Sequence, residues 1–252
     1  MPERPAYLRI ADEIREKIHS GVIERGTRLP SNDELAATYS VSLMTVRKAM
    51  EVLKSEGLIE SKTRGGTIVR DRRVLRRISS ERYLADIGPQ DVPKSSYTSD
   101  QGITWSEYRL DVSYDWTEAD DELAELFGVD PGTRLLDRRF VFYSRGVPTQ
   151  MSRPYLLASD VGGTPVADPG NEPWPGGTFA QLRSVGILID DIIESVATRM
   201  PTPEEASTLQ IPSGVPVFAI TRRLLAQGRV VEVAHPIVIP GDSAILDYRI
   251  QI

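Results

Sequence analysis

LPSNDELAATYSVSLMTVRKAMEVLKSEGLIESKTRGGTIV, residues 29–69, carries two helix starts, a turn between them and a glycine-centred hairpin. Ser31 stands three residues before Glu34, so its hydroxyl can accept from the Glu34 backbone N–H while the Glu34 carboxylate reaches back, the reciprocal arrangement of a capping box. Leu35, Ala36 and Tyr39 give that helix an apolar side, and residues 39–42 supply a turn and a second N-cap at Ser42. Beyond it Val46, Ala49, Met50 and Leu53 recur at spacings of three and four and must face a core, which leaves Leu43, Thr45, Arg47, Lys48 and Glu51 toward water or a partner. Gly57 stops this helix where a left-handed residue costs least. Residues 58–61 and 67–69 read as strands on either side of a loop, 62–66, whose Gly65 and Gly66 permit the positive φ of a tight hairpin.

Ahead of this stretch, residues 5–20 read as a helix with Ile10, Ile14 and Ile18 on one face and Glu13 paired with Lys17 on the surface. Three helices and a hairpin within about 70 residues can enclose a small core. Their order is that of a winged helix-turn-helix, which sets the second helix of the pair into the major groove of DNA with the hairpin beside it. The charge distribution agrees. The first 77 residues hold 16 Lys and Arg against 11 Asp and Glu, a net of +5; the remaining 175 hold 14 against 25, a net of −11, within a whole-chain charge of −6. The basic end is the one suited to a polyanion. A solvated-face reading stands beside this one, in which Arg47 simply pairs with Glu51 four residues on.

The charge-dense residues 71–80 read as a linker, which sets domain boundaries at 1–70 and 81–252. Residues 88–102, rich in Pro, Ser and Gly, read as irregular. Strands follow at 105–115, at 135–144 with 148–156, at 188–200, at 215–226 with 230–239, and at 244–250. Helices are expected at 117–127, 178–184 and 202–209. Antiparallel strands with three helices on one side make an α+β domain.

Composition narrows the chemistry. With no cysteine there is neither a disulfide framework nor a thiolate zinc site. His19 and His235 are the only histidines and fall in different expected domains, so a histidine metal site or a Ser-His-Asp triad is not expected, and no catalytic residue, metal ligand or cofactor is assigned. The chain shows no apolar leader and no run of about 18 apolar residues. The expectation is a cytoplasmic protein without membrane contact.

Tyr7, Ile10, Ile14, Ile18, Gly21, Gly26, the Leu29-Pro30-Ser31 and Glu34-Leu35-Ala36 runs, Tyr39, Val41-Ser42, Thr45-Val46-Arg47-Lys48-Ala49, Leu53, Glu56-Gly57-Leu58-Ile59 and Arg64-Gly65-Gly66-Thr67 resemble, in order and almost without gaps, the DNA-binding domain of the GntR transcription regulators. The resemblance implies that Arg47 meets a guanine edge in the major groove and that Thr45, Lys48 and the N–H groups at Ser42 hold phosphates. Ser31 joins the contact set from the preceding helix start, and Arg64, Gly65 and Gly66 would enter the minor groove. Two places depart from the family pattern: Asn32-Asp33 and Leu43-Met44 stand where the family commonly has arginines. Leu43 is then a candidate for contact with a thymine methyl.

The later segments resemble the UTRA effector domain of the HutC subgroup, which has a chorismate lyase-like fold. They are residues 122–129 with Gly132, Gly146-Val147-Pro148, Glu204-Glu205-Ala206 with Leu209, and residues 214–217 leading to Arg222 and 228–233. That implies a homodimer on a double-stranded, pseudo-palindromic operator, acting as a repressor responsive to an unidentified small-molecule effector. Glu232 matches an acidic pocket position, and Arg138, Tyr155, Arg222 and His235 are expected near it. Where sugar-phosphate-sensing relatives have two arginines that grip phosphate, the stretch here reads Arg138-Arg139-Phe140-Val141-Phe142, so that pair is displaced or absent, and Phe140 and Phe142 are assigned to the core. Cross-strand ion pairing is the competing account of these strand charges. Residues 32–36 and 44–48 also resemble regulators of this group that repress conjugative-plasmid transfer genes. The alternatives are an enzyme built on the chorismate lyase-like domain and a DNA-binding structural protein without an effector.

Overall fold

The computed structural model describes residues 4–62, 66–71, 75–78, 83 and 95–248, without the side chains of Lys62 and Ile78. The chain divides into two compact units, Met1–Arg73 with Ile211–Val215, and Val74–Gln210 with Pro216–Ile252.

The first unit is three helices and a small sheet. Helix α1 (Ala6–His19) brings Ile10, Ala11 and Ile14 onto Leu35 of α2 (Asn32–Tyr39) and Val46, Ala49, Met50 and Leu53 of α3 (Leu43–Ser55). The Ser31 capping box starts α2, and Ser40 closes the inter-helix turn in the left-handed region at φ 52°. Arg15 clamps Glu56 with two hydrogen bonds of 2.6 and 2.8 Å, tying α1 to the end of α3. Strands β1 (Ile59–Lys62) and β2 (Gly66–Val69) form the hairpin. Residues 27–29 lie along its other side: Leu29 donates to the Thr67 carbonyl and Val69 to that of Thr27, each at 2.9 Å.

The second unit is built on a six-stranded antiparallel sheet in the order β4 (Tyr108–Glu118), β5 (Arg134–Ser144), β6 (Val147–Leu157), β9 (Arg229–Pro240), β8 (Val217–Ala226), β7 (Asp191–Arg199). The β5–β6 and β8–β9 hairpins turn on Arg145-Gly146 and Gln227-Gly228, all four at positive φ, which suits the right-handed twist of the flanking strands.

Helices cover both faces of this sheet, not one as the sequence suggests. Asp121–Phe127, capped by Asp120, presses Leu123 and Phe127 onto Leu135, Tyr155, Leu157 and Val233. Gly177–Ser184 presses Phe179 and Leu182 onto Leu136, Leu156 and Leu224 from the opposite face. Adjacent strand residues such as Leu135 and Leu136 are therefore both buried, as expected of a strand covered on two sides.

Two further expectations are corrected. Leu75–Ile78, within the predicted linker, is a strand (β3) that pairs in parallel with β10 (Ala244–Asp247) and buries Leu75 against Ile220, Ile237 and Ile239. Its alternation is hidden in the sequence because the second inward residue is an arginine, Arg77. The expected irregular stretch 88–102 contains the helix Ser96–Gln101, capped by Ser95; residues 88–94 lie outside the described residues.

Candidate functional site

In the first unit the contact surface is set by α3. Its N-cap Ser42 accepts from the Thr45 backbone N–H at 3.2 Å, and the two hydroxyls are 2.9 Å apart. The N–H groups of Leu43 and Met44 open the helix with no helical carbonyl to receive them, so this end is positive and hydrogen-bond-donating. With Val46, Ala49, Met50 and Leu53 buried, Arg47 and Lys48 are exposed, Leu43 and Thr45 are half-buried, and Met44 is 61% exposed. Neither Arg47 nor Lys48 is held in an ion pair among the described residues. Ser31 is exposed at the start of α2 and engaged with Glu34, whose carboxyl its backbone N–H, then its hydroxyl, hold below the ordinary value. Gly66 opens β2 at φ +73°, where an added Cβ would come within 3.0 Å of Arg28 Nε. Arg28, whose backbone faces Ile68, thus extends its guanidinium beside the loop end of the hairpin; its position just before Leu29-Pro30-Ser31 is the available sequence signal. Arg64 and Gly65 lie outside the described residues.

In the second unit a cavity of about 90 Å³ lies on the sheet face covered by Gly177–Ser184. Arg77, Arg222, Glu172 and Gln181 of its lining belong to an ionic chain that continues into the core behind them. Arg138 of β5, wholly buried, donates from Nη2 to Glu232 Oε2 and from Nη1 to Gln181 Oε1, both at 2.8 Å. Arg222 of β8 donates to the other Glu232 oxygen at 2.5 Å. Burial works against the charge of Arg222, but the Glu232 carboxylate more than offsets it and holds the guanidinium protonated. Glu172 accepts from Tyr114 at 2.6 Å, Gln181 at 2.7 Å and the Trp174 N–H at 2.8 Å. Tyr83 donates to Glu194 at 2.5 Å, and Arg77 pairs with the same carboxylate oxygen. The Nε atoms of Arg138 and Arg222 are buried with no acceptor among the described residues.

A row of rings also lines the cavity. Tyr97 lies 4.9 Å from Phe142 and 5.4 Å from Tyr108, and Trp105 lies 5.2 Å from Tyr108, centroid to centroid. Burial pushes the Tyr97, Tyr108 and Tyr114 hydroxyls well above the ordinary tyrosine value, so they are neutral donors. The cavity therefore offers aromatic faces, neutral hydroxyls and guanidiniums already balanced by carboxylate.

Of the five residues expected around the effector, Arg138, Arg222 and Glu232 meet one another, and Arg222 alone lines the cavity, with the Arg138–Glu232 pair wholly buried behind it. Tyr155 and His235 do not join them: Tyr155 packs with Leu123 and Phe127 on the other face, and His235 Nε2 meets Glu122 Oε1 at 3.3 Å while its Nδ1 meets Thr221. The cause is strand alternation, which puts Tyr155 and its neighbour Leu156 on opposite faces. Phe140, expected in the core, is buried, and Phe142, also expected there, is half-buried; both line the cavity. Gln181, Thr178, Glu172 and Tyr114 were missed; only the spacing of Thr178 and Gln181 on one helix face could have signalled them. A more open groove of about 690 Å³ lies on the opposite face, but its Arg139 and Arg153 both donate to Asp137.

Among the described residues no helix is long and apolar enough to cross a membrane, and no group of His, Asp and Glu is placed to hold a metal ion.

Residues 6–69 match the family described as bacterial regulatory proteins, gntR family, and residues 111–242 match the UTRA domain. The chain is 29% identical to the HTH-type transcriptional regulator SCO4628 of Streptomyces coelicolor, over 92% of this chain and 88% of the relative. It is 27% identical to the histidine utilization repressor of Klebsiella aerogenes, over 98% and 93%. A crystal structure of a GntR-family transcriptional regulator superimposes with a TM-score of 0.62 at 30% identity, covering 99% of this chain and 98% of the other. These relatives are named for regulation and not for catalysis, so the chorismate lyase-like alternative of an enzyme falls away. The chain belongs to the GntR family of bacterial regulatory proteins, in the HutC group that joins the GntR head to a UTRA domain.

Proposed function

We propose that this regulator is a ligand-responsive repressor that occupies a pseudo-palindromic operator as a homodimer in the cytoplasm and releases it when a small molecule fills the cavity lined by Arg222, Gln181, Tyr97 and Phe142. The observation that carries this reading is the pairing, in one chain, of a capped helix presenting exposed Arg47 and Lys48 with a cavity lined by charged and aromatic side chains. Arg47 reads a guanine edge; Thr45, Lys48 and the helix start at Ser42 hold phosphates; Ser31, Leu43, Arg28 and the hairpin residues 64–66 complete the contact. Two half-sites need two heads, hence the dimer.

The effector is not a phosphate ester. Arg138 and Arg222 already share Glu232, and a dianion would have to break those bonds to be held. A flat, largely apolar molecule with hydrogen-bonding edges fits the ring row and the neutral tyrosine hydroxyls better. To act, it must bind the released arrangement more tightly than the DNA-bound one, and operator DNA must weaken its binding by the same factor.

The test is a footprint of the purified chain on the DNA upstream of its own gene, followed by transfer genes of conjugative plasmids, the targets implied by the resemblance of residues 32–36 and 44–48. A protected two-fold site that is lost on adding a metabolite supports the reading. Binding without two-fold symmetry refutes the dimer, and protection that no metabolite pool relieves refutes the effector.

A further inference from the structure

We propose that Met44 reads a thymine 5-methyl group in the major groove, and so replaces charge by an apolar contact as a second sequence-determining position of α3. The proposal rests on the DNA-binding reading above. Met44 is the second residue of the helix and 61% exposed. At 100° per residue, the buried Val46, Ala49, Met50 and Leu53 place Met44 and Lys48 at the middle of the outward stripe, with Arg47 on its flank. The other outward residues are polar or charged, Arg47, Lys48, Glu51 and Ser55, so this long apolar side chain stands alone where the helix meets its partner.

First-turn residues of a recognition helix reach base edges. The one apolar group on the major-groove edge is the thymine methyl. Methionine suits it: three rotatable bonds and a polarizable sulfur let the side chain settle on a methyl whose position varies with local DNA shape. Arg47 follows Met44 by three residues, about 4.5 Å of helix rise. With base pairs about 3.4 Å apart, the thymine should lie about one to two base pairs from the guanine read by Arg47.

The experiment uses the full-length chain. Its preferred site is selected from a random duplex library, and each thymine of that site is then replaced singly by deoxyuridine, which lacks only the methyl. Wild type should lose about three- to fivefold in affinity at a position within two base pairs of the conserved guanine, the worth of one buried methyl. Met44→Ala should bind the thymine site more weakly and bind thymine and uracil versions equally, and Met44→Leu should restore the difference. Met44→Ala should keep its thermal midpoint and its salt dependence, since the residue is exposed and uncharged. Absence of any uracil-sensitive position, or sensitivity unchanged in Met44→Ala, overturns the proposal alone. A library that yields no enriched sequence at low salt overturns the DNA-binding reading and this proposal with it.

Discussion

Arg138 and Glu232 sit on strands separated by β6, have no exposed side-chain surface and meet at 2.8 Å, with Arg222 on the carboxylate's second oxygen. Among the described residues, Glu232 is thus the carboxylate that joins these two guanidiniums into one arrangement. Glu232→Gln should destabilise the second unit by about 3–5 kcal/mol, because it leaves both cations buried without a carboxylate. Arg222→Ala should cost less, since Arg138 still neutralises Glu232. Urea unfolding of the three proteins checks the order; equal losses would show that the carboxylate is not shared.

Arg47 and Lys48 are neighbours with different expected signatures on DNA. Arg47→Ala should cost about 1–3 kcal/mol on the selected operator and relax the preference at one base pair. Lys48→Ala should weaken operator and random duplex alike and reduce the slope of log affinity against log salt by about 1. Titrations of both variants on both duplexes at several salt concentrations separate the roles. Equal losses on operator and random DNA for Arg47→Ala would count against base reading.

Ser42 serves the fold as a cap and the DNA as a neutral neighbour of phosphate, and two substitutions divide these tasks. Ser42→Ala removes the acceptor of the Thr45 N–H and should cost about 1 kcal/mol of stability. Ser42→Asp keeps a cap and adds a charge that favours the helix start, so its thermal midpoint should match or exceed wild type. Its DNA affinity should nevertheless fall at least tenfold, as a carboxylate would face the phosphates. An aspartate variant that binds DNA normally would remove this helix start from the backbone contact.

The first unit was legible because its signals are local. Ser31 with Glu34, Ser42 and Gly57 each act over a few residues, and the structure places them at the helix ends read from the sequence. The cavity was only half legible. Arg138, Arg222 and Glu232 could be grouped by resemblance, but Tyr155 and Leu156 exchange faces with a one-residue change of parity, which the sequence around two-sided strands does not reveal. Arg77 masked β3 because a buried arginine breaks the apolar pattern, and its partner Glu194 is 117 residues away. Glu172 and Gln181 come from a loop and a short helix, so no periodicity announces them.

Glu205 offers a test of electrostatics at the helix Pro203–Thr208. Hydrogen bonds from Arg199, at 2.6 and 2.7 Å, lower its carboxyl most, with the Thr202 N–H adding to the effect against an opposing contribution from burial. A carboxyl lower in the folded than in the unfolded chain gives stability that is complete above the unfolded value. That stability fades as pH falls toward and through the lowered folded value, because the unfolded chain binds the proton first. Glu205→Gln should therefore destabilise the protein by about 1–3 kcal/mol at pH 7. The gap between variant and wild type should shrink from about pH 5 downward. Thermal midpoints of both proteins from pH 7 to pH 3 measure it; a gap that stays constant across that range would show that the Arg199 pairing contributes no charge-dependent stability.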